Sequence, residues 1–399
     1  MPGPLDGIRV IDVTTVLLGP YGTQILGDMG ADVIKIEAPP TGDIARNMGT
    51  VKTPGMGGIY LNANRNKRSV ALDLKQESAR AMLRRLIATA DVFVHNMRPQ
   101  AIERLGFDYA SVAAVKPDIV YVGAYGFGQA GPYRAKPAYD DAIQAASGLA
   151  SLFAQRDGTP QYVPAAIADK LVGVTLSQAV AMALVYRERT GKGQFVEVPM
   201  FEVLVAFNLV EHINGAAYQP PIGALGYQRV TTASRRPFPT KDGHVCILPY
   251  SDKQWLAFFT AVGHPEMMVD PRFATYSARV HTVDELYGFV ARMTPLKTSA
   301  EWVEICEKGE IPCMPVADIQ TLMRDPHLEA VGMFEAHQHP TEGETVLVRP
   351  PVTFSVSPGG IRTHAARFGE HSQEIARELG YDDEAIAELV AAGALIPAD

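Results

Sequence analysis

The chain has 399 residues, of which 47% are hydrophobic and 20% are charged. This length and composition indicate a globular protein with room for two domains, and they argue against disordered, collagen-like and membrane proteins. The formal net charge of −8 argues against a nucleic-acid-binding protein, which normally carries a basic surface. Three scattered cysteines, Cys246, Cys306 and Cys313, suit neither a disulfide framework nor a metal site.

The first forty residues alternate strand and helix patterns. Ile8–Val13 and Ala31–Glu37 are short apolar runs with β-branched residues, which is typical of strands. Thr23–Met29 between them has helical spacing, and Gly19–Gly22 before it is predicted to be a turn. A strand, a helix and a strand at this spacing predict a parallel pair and an α/β sheet.

The alternation continues to residue 124. Further strands are predicted over 69–74, 91–95 and 119–124, and helices over 77–89 and 98–105. A long helix follows over 169–188. Its most apolar part, Val172–Tyr186, is interrupted by Ser177 and Gln178, so we expect a buried helix that is too short to span a bilayer. No signal-peptide pattern is visible, and with the few cysteines this predicts a cytoplasmic protein.

A change of composition after this region marks a boundary. Residues 216–238 are rich in Pro, Gly, Tyr and Arg without a period, which is typical of a linker. We therefore predict segments 1–215, 216–238, 239–326 and 327–399. The third opens with a hairpin turn at Lys241-Asp-Gly243, and the fourth contains predicted strands at 346–348 and 352–356 and helices at 371–379 and 383–392.

Two patterns are better explained without a bound group. Glu37 at the end of the second strand suggests a dinucleotide site, but Pro20 and Tyr21 occupy the turn where that site needs a glycine for the pyrophosphate. His337 and His339 lie in a polar segment without further metal-ligand spacing, so we expect surface histidines.

Several segments, taken together, resemble the class III CoA-transferase family. That family includes formyl-CoA:oxalate and carnitine CoA-transferases and is related to the α-methylacyl-CoA racemases. The matching segments are Pro4–Asp12, Gly19–Pro20, Gly30–Glu37, Asn66–Lys75, Asp91–Asn96, Arg104–Gly106, Gly126–Pro132, Thr190–Gln194 and Gly369–His371.

The resemblance implies an architecture as well as an activity. It implies a Rossmann-like large domain built from both termini (1–215 and 327–399), a smaller α+β middle domain, and an interlocked homodimer. It also implies that the substrates are an acyl-CoA and a free carboxylic acid, with no permanently bound cofactor and no metal. The missing glycine-rich lid of formyl-CoA:oxalate transferases at 216–260 points away from oxalate as the substrate.

The resemblance places the family's nucleophilic aspartate at Asp169. The sequence agrees with this, because a carboxylate at the start of a helix is favoured as the anion by the dipole, by ~0.3–1 kcal/mol. A charged carboxylate can attack a thioester carbonyl. On the sequence pattern alone, a helix cap is the better explanation of Asp169, and the resemblance is what favours catalysis.

Tyr139 and Asp140 stand where the racemases carry a histidine before an aspartate. That histidine is a proton-transfer group, whereas a tyrosine hydroxyl is a poor base for a Cα proton at neutral pH. The difference favours a transferase and leaves Asp140 as a residue that orients Tyr139 or Asp169. Tyr139 by itself is equally explained as a core aromatic residue.

The resemblance also implies positions that contact CoA. The residues matching the family's CoA contacts are Lys75, Asn96 and Arg104, and Thr15, Val16 and Leu17 match positions beside the thioester. Lys136 and Arg98 are further candidates nearby. Lysine and arginine form charge-assisted hydrogen bonds with phosphate. Ala38 stands where some members have an arginine, so one phosphate contact must be supplied elsewhere.

Arg235 and Arg236 are adjacent at the start of the small domain. Two neighbouring guanidinium groups suit a second carboxylate, which predicts succinate or another dicarboxylic acid as donor or acceptor. A surface pair of arginines is the alternative. The competing functions are an acyl-CoA racemase or epimerase and a non-catalytic acyl-CoA-binding protein.

Overall fold

The central feature of the fold is a seven-stranded sheet in the computed structural model, which describes residues 2–398. The strands are β1 (Arg9–Val13), β2 (Asp32–Glu37), β3 (Lys67–Leu72), β4 (Val92–His95), β5 (Val120–Tyr125), β6 (Gln194–Pro199), β7 (Phe238–Pro239), β8 (His244–Ile247), β9 (Cys313–Pro315), β10 (Phe334–His339), β11 (Gly343–Val348) and β12 (Leu395–Ile396).

The α-helices cover most of the remaining chain. They are α1 (Leu18–Asp28), α2 (Gly58–Ala63), α3 (Glu77–Ile87), α4 (Pro99–Leu105), α5 (Tyr109–Val115), α6 (Asp140–Ala146), α7 (Leu149–Asp157), α8 (Ile167–Thr190), α9 (Met200–His212), α10 (Gln228–Thr231), α11 (Asp252–Ala261), α12 (Tyr276–His281), α13 (Val283–Met293), α14 (Ser299–Lys308), α15 (Pro326–Ala330), α16 (Ser372–Glu378) and α17 (Asp383–Ala391).

The central sheet has the order β12-β3-β2-β1-β4-β5-β6. All neighbouring strands are parallel except β12, which is antiparallel to β3. Its middle strands are buried on both faces, as Val10, Ile11 and Phe93 show, and this is why their sequences are continuously apolar. The order reverses between β1 and β4, as in doubly wound α/β folds. The predicted α/β class with a parallel sheet is confirmed.

The chain divides into two compact units. The second contains Gly148–Tyr162 and Asn208–Pro326, and the first contains the other described residues. The second unit includes residues 216–238 and has its own core around Trp255, Phe258 and Trp302, with an antiparallel sheet of order β7-β8-β9. The domain boundaries proposed from the sequence stay a prediction.

Two helices differ from their predicted extents. The helix α1 begins at Leu18, so Gly19–Gly22 is not a turn but the first part of the helix. Pro20 is tolerated there because the first helical N–H groups have no partner within the helix. The helix α8 has 24 residues and is long and apolar enough to cross a membrane by length and composition alone. The prediction that it is too short is therefore wrong.

Two other predictions are also wrong. The segment 352–356 forms no strand. His337 and His339 lie in β10 instead of a surface loop, and His339 is buried. Its Nε2 donates to Ala365 O at 2.9 Å, while its Nδ1 accepts from the Thr341 N–H at 3.2 Å. These bonds give both ring nitrogens a hydrogen-bond partner.

Candidate active site

A cavity of about 220 Å³ opens beyond the carboxyl ends of β1, β4 and β5. This is where the strand order reverses, and ligands of open α/β sheets bind at such points. Six of the predicted site residues line the cavity, namely Thr15, Val16, Asn96, Lys136, Tyr139 and Asp169. They come from four separate parts of the sequence, which the parallel sheet brings together.

The loop after β1 forms one wall of the cavity and is held at each backbone N–H. The Thr14 N–H donates to Asp12 Oδ1 at 2.9 Å, and the Val16 N–H donates to Asp43 Oδ1 at 2.9 Å. Asn96 bonds both sides of Thr15, accepting from its N–H at 3.0 Å and donating to its carbonyl at 2.8 Å. The Asn96 amide thus positions the loop, and the next residue, Leu17, is the N-cap of α1.

Val16 has a left-handed backbone conformation, with φ of 73°. A β-branched residue seldom adopts this conformation, because its side chain crowds the backbone there. The bond from the Val16 N–H to Asp43 offsets part of this strain. Such strain is concentrated at functional sites of proteins, and here it lies on the cavity wall.

Buried charges support this loop from below. Lys35 Nζ donates to Thr14 O at 2.8 Å and lies 2.8 Å from Asp43 Oδ2, and Lys67 Nζ lies 3.1 Å from Asp12 Oδ2. Burial alone would raise the pKa of Asp12, but Lys67 and Lys35 hold it well below its ordinary value. These charges are paired, as buried charges must be.

Glu37 belongs to the same buried region. Its carboxylate lies 2.6 Å from the Arg46 guanidinium and accepts from Ser69 Oγ at 2.6 Å. Burial would raise the pKa of Glu37, but Arg46 and Lys35 lower it. This carboxylate is occupied by protein groups, which explains an acidic residue here without a dinucleotide.

Asp169 lies in the first turn of α8 and faces the cavity. Its backbone N–H donates to Asp140 Oδ2 at 2.9 Å. Asp140 begins α6, and its other oxygen accepts from Gln144 Nε2 at 2.6 Å. Asp140 therefore fixes the position of Asp169 through the backbone. Of the two residues that Asp140 was predicted to orient, this hydrogen bond favours Asp169.

Burial, followed by the nearby charge of Asp140, raises the pKa of Asp169 from 3.8 to about 6. The direction of this shift is opposite to the contribution that the sequence predicts for the helix start. The helix contributes only ~0.3–1 kcal/mol, which is less than the cost of desolvating a carboxylate next to another one. The anion of Asp169 is still the main form at neutral pH.

Two helices pack closely at glycines and thereby locate Asp169. A Cβ on Gly173 would lie 2.8 Å from Leu18 O, and a Cβ on Gly22 would lie 2.7 Å from Gly173 O. Only glycine permits this approach of α1 and α8. Because Gly173 follows Asp169 by about one turn, the contact sets the height of the carboxylate above the loop after β1.

Tyr139 and Lys136 lie on the segment before α6. Tyr139 is 73% exposed, so it is not the core aromatic residue that the sequence allowed. Lys136 Nζ lies 3.7 Å above the centroid of the Tyr133 ring, a cation–π contact that holds the ammonium group at the cavity.

Six other predicted residues do not line this cavity, and two of them, Leu17 and Asp140, lie next to residues that do. Lys75 and Arg104 are exposed residues beyond β3 and in the last turn of α4. Arg235 and Arg236 line a different cavity, of about 210 Å³, in the second unit. The nearby candidate Arg98 does line the cavity of Asp169.

The structure adds residues that the sequence did not single out. Gln129, Arg134 and Tyr125 also line the cavity, and Asp43 holds Val16 from behind. The charge of Arg134, two residues before Lys136, was the one available signal. No sequence signal indicated Asp43, because its partners Val16 and Lys35 are remote in sequence.

Comparison with known proteins agrees with this geometry. The model of CoA-transferase family III matches residues 5–372. A succinate–glutarate CoA-transferase of Agrobacterium fabrum is 33% identical over 94% of this chain and 96% of its own length. A formyl-CoA:oxalate CoA-transferase of a Bradyrhizobium species is 31% identical over 100% of this chain and 98% of its own length.

Solved structures are similar along the same length. The crystal structure of a CaiB/BaiF family protein from Brucella suis superimposes with a TM-score of 0.80 at 31% identity, covering 95% of this chain and 100% of that chain. The chain belongs to CoA-transferase family III and is a CoA-transferase.

Proposed function

We propose that this enzyme moves CoA from an acyl-CoA to a free carboxylic acid through covalent intermediates on Asp169. The observation that carries the proposal is a half-buried carboxylate, with a pKa raised to about 6, in a cavity at the switch point of the sheet. Its anion is poorly solvated and is therefore a stronger nucleophile than an exposed aspartate.

The proposed steps balance at each stage. The Asp169 carboxylate attacks the donor thioester carbonyl, forming a mixed anhydride and releasing CoA thiolate. The thiolate attacks the Asp169 carbonyl carbon and expels the donor acid, leaving an Asp169–CoA thioester. The acceptor carboxylate attacks this thioester, giving a second anhydride and free thiolate. Attack of the thiolate on the acceptor carbonyl forms the new acyl-CoA and restores Asp169. One thioester is exchanged for another, so the sequence needs no ATP.

We assign the CoA contacts to two groups of residues. The loop of Thr15, Val16 and Leu17 borders the thioester, supported by Asn96. Lys136 and Arg98 face the same cavity and offer charge-assisted bonds to phosphate oxygens. Lys75 and Arg104 are exposed cations outside the cavity. We assign them to the phosphates of CoA that lie far from the thioester. They would supply the positive charge that Ala38 does not.

A short dicarboxylic acid is the proposed acid substrate, with succinyl-CoA or another dicarboxylyl-CoA as the thioester. Relatives named for succinate and glutarate support this choice. We also keep Arg235 and Arg236 as a proposed site for the second carboxylate, since both line one cavity with apolar Phe238 and Leu248.

The arginine pair is tested by the Arg235→Ala and Arg236→Ala variants. We expect succinyl-CoA to bind about tenfold or more weakly to each, because each variant removes a charge-assisted hydrogen bond. Binding is measured by calorimetry, with butyryl-CoA as the ligand that lacks the second carboxylate. Equal affinities of wild type and variants for succinyl-CoA would reject the role of the pair.

Asp169 itself is tested by intact-mass spectrometry after incubation with succinyl-CoA. We expect a mass gain equal to CoA less one water, mapped to the peptide that contains Asp169. The gain should be absent in Asp169→Asn and present in the control Asp141→Asn, since Asp141 is an exposed residue that does not line the cavity. An adduct on the Asp169→Asn variant would reject the assignment of Asp169 as the nucleophile.

The same samples separate the competing functions. A racemase or epimerase would incorporate solvent deuterium at the α-carbon, and Tyr139 in place of a histidine argues against it. A binding protein without catalysis would bind CoA tightly and show no adduct with any acyl-CoA. The transferase shows the adduct without deuterium exchange.

We further propose that the enzyme is an interlocked homodimer of the cytoplasm, with a Rossmann-like large domain built from both termini. An apolar face of α8 supports the dimer, because Val174, Met182, Val185 and Tyr186 are all between 45% and 62% exposed. Exposed apolar residues gathered on one face of a helix are typical of an interface.

A further inference from the structure

Cationic side chains outnumber carboxylates around the cavity of Asp169. The cations are Arg98, Arg134 and Lys136, whereas Asp169 is the one carboxylate among the described residues that line it. A concave site with this balance attracts anions. Two kinds of anion enter a CoA-transferase, namely the phosphates of CoA and the carboxylates of the acids.

Arg134 is one of two arginines at the cavity whose guanidinium groups have no hydrogen-bond or ion-pair partner among the described residues. The other is Arg98, which we assign to a phosphate of CoA, whereas Lys136 is held over the Tyr133 ring. Arg134 donates its backbone N–H to Gly131 O at 3.4 Å, but within residues 2–398 its guanidinium has no hydrogen-bond or ion-pair partner. A guanidinium group that faces a cavity without a partner is prepared for a ligand.

The backbone that carries Arg134 is nevertheless fixed. The Gln129 N–H donates to Glu197 Oε1 at 2.7 Å, and the Gly128 N–H donates to Glu202 Oε1 at 2.9 Å. The Tyr133 ring packs on Phe127 with centroids 5.6 Å apart. The two nearby carboxylates therefore anchor the turn and do not neutralise the guanidinium.

We propose that Arg134 binds the remote carboxylate of a short dicarboxylic acid whose other carboxylate reacts at Asp169. This inference rests on the proposed function, because it names the substrate class and a specificity-determining residue of the same site. It is an alternative to the pair of Arg235 and Arg236, which line a different cavity. A guanidinium can hold a carboxylate by two parallel hydrogen bonds. Arg134 and Asp169 line one cavity, so both ends of one acid can be bound within it.

The test compares glutarate with pentanoate, which has the same carbon chain and one carboxylate. Both are titrated by calorimetry, with CoA present, into wild type, Arg134→Gln and the control Arg189→Gln. Arg189 is an exposed residue in the last turn of α8 and lies outside the cavity. We expect wild type and the control to bind glutarate about 10- to 100-fold more tightly than pentanoate.

In Arg134→Gln this preference should disappear while the affinity for pentanoate stays unchanged. An unchanged glutarate affinity in Arg134→Gln would overturn the inference. A loss of CoA affinity with glutarate binding intact would also overturn it, because Arg134 would then serve a phosphate.

The CoA adduct on Asp169 is measured in parallel, so that the two proposals fail separately. An adduct on wild type together with unchanged glutarate affinity in Arg134→Gln rejects only the role of Arg134. Absence of the adduct, together with a preference for glutarate that depends on Arg134, rejects only the covalent mechanism.

Discussion

Asp169 and Asp140 are two carboxylates that the fold holds close together with different partners. Asp140 accepts hydrogen bonds from the Asp169 N–H and from Gln144, so its negative charge is compensated locally. Asp169 receives no such compensation, and its pKa is raised by burial and by Asp140. Carboxylate pairs with unequal surroundings divide their roles in this way. In the proposed mechanism, Asp140 orients Asp169 and Asp169 reacts.

The pH dependence of transfer follows from this difference. We expect kcat/KM to rise with an apparent pKa of about 6 and then to level off, because the Asp169 anion is the attacking form. Asp140→Asn should move this rise to lower pH, since it removes a negative charge and keeps an acceptor for the Asp169 N–H. Stopped assays over the acidic range measure both profiles, with Asp141→Asn as the control. A rise unmoved by Asp140→Asn would contradict the coupling.

Protein stability should carry the same signature. The folded pKa of Asp169 lies above the ordinary 3.8, so the folded state holds this proton more tightly than the unfolded state does. Its contribution to stability therefore falls as pH rises from about 4 to about 6, and is level above. The Asp169→Asn variant does not lose stability in this way, because its amide does not titrate. The melting temperature of the variant minus that of the wild type should therefore increase as the pH rises from about 4 to about 6.

The elements around the site show what a sequence can and cannot predict. Strands β1, β2 and β4 could be recognised because they are buried on both faces, which requires apolar runs. The packing of α1 on α8 could not be predicted from the sequence, because Gly22 and Gly173 are far apart in the chain and have no side chains that would form a pattern. For the same reason Gly19–Gly22 was predicted to be a turn.

The glycine contact between these helices can be tested directly. Gly173→Ala would place a Cβ 2.8 Å from Leu18 O and push α8 away from α1, which we expect to cost about 1–3 kcal/mol of stability. Displacement of Asp169 should lower kcat by about 100-fold. Unfolding in urea and steady-state kinetics measure the two effects.

A second helical glycine provides the control. A Cβ on Gly288 in α13 would approach only Arg292 Nη1, at 3.7 Å. Gly288→Ala should therefore leave kcat unchanged and stabilise the protein by about 0.5–1 kcal/mol, as alanine does in helices. Full activity in Gly173→Ala would show that the close contact does not position Asp169.

At the scale of the whole molecule, the sequence predicted the sheet but not the network beneath the cavity. The alternation of elements indicates parallel strands, and parallel strands bring their carboxyl ends to one edge. Which side chains then meet, such as Lys67 with Asp12 or Asn96 with Thr15, depends on the strand order β3-β2-β1-β4. That order is a long-range property that local periodicity does not encode.

Assembly is the last property that belongs to this scale. In α8 the residues Val172, Leu176 and Val180 are buried, whereas Met182 and Val185 are more than half exposed. One face of the helix thus packs in the core of the unit, and the apolar side chains on the opposite face are exposed to solvent. Burial of each such side chain against a second copy would contribute about 1.5–3 kcal/mol. We therefore expect wild type to be a dimer by light scattering, with a melting temperature that rises with protein concentration.

The double variant Met182→Glu, Val185→Glu should abolish the dimer, because it places two charges in an apolar interface. Light scattering should then report a monomer or a loss of soluble protein, and any remaining melting transition should no longer depend on concentration. Val269→Glu is the matched control, since Val269 is 80% exposed in the second unit and should leave the mass unchanged. A dimer that survives the double variant would show that this face of α8 is not the interface, and a monomeric wild type would reject the dimer itself.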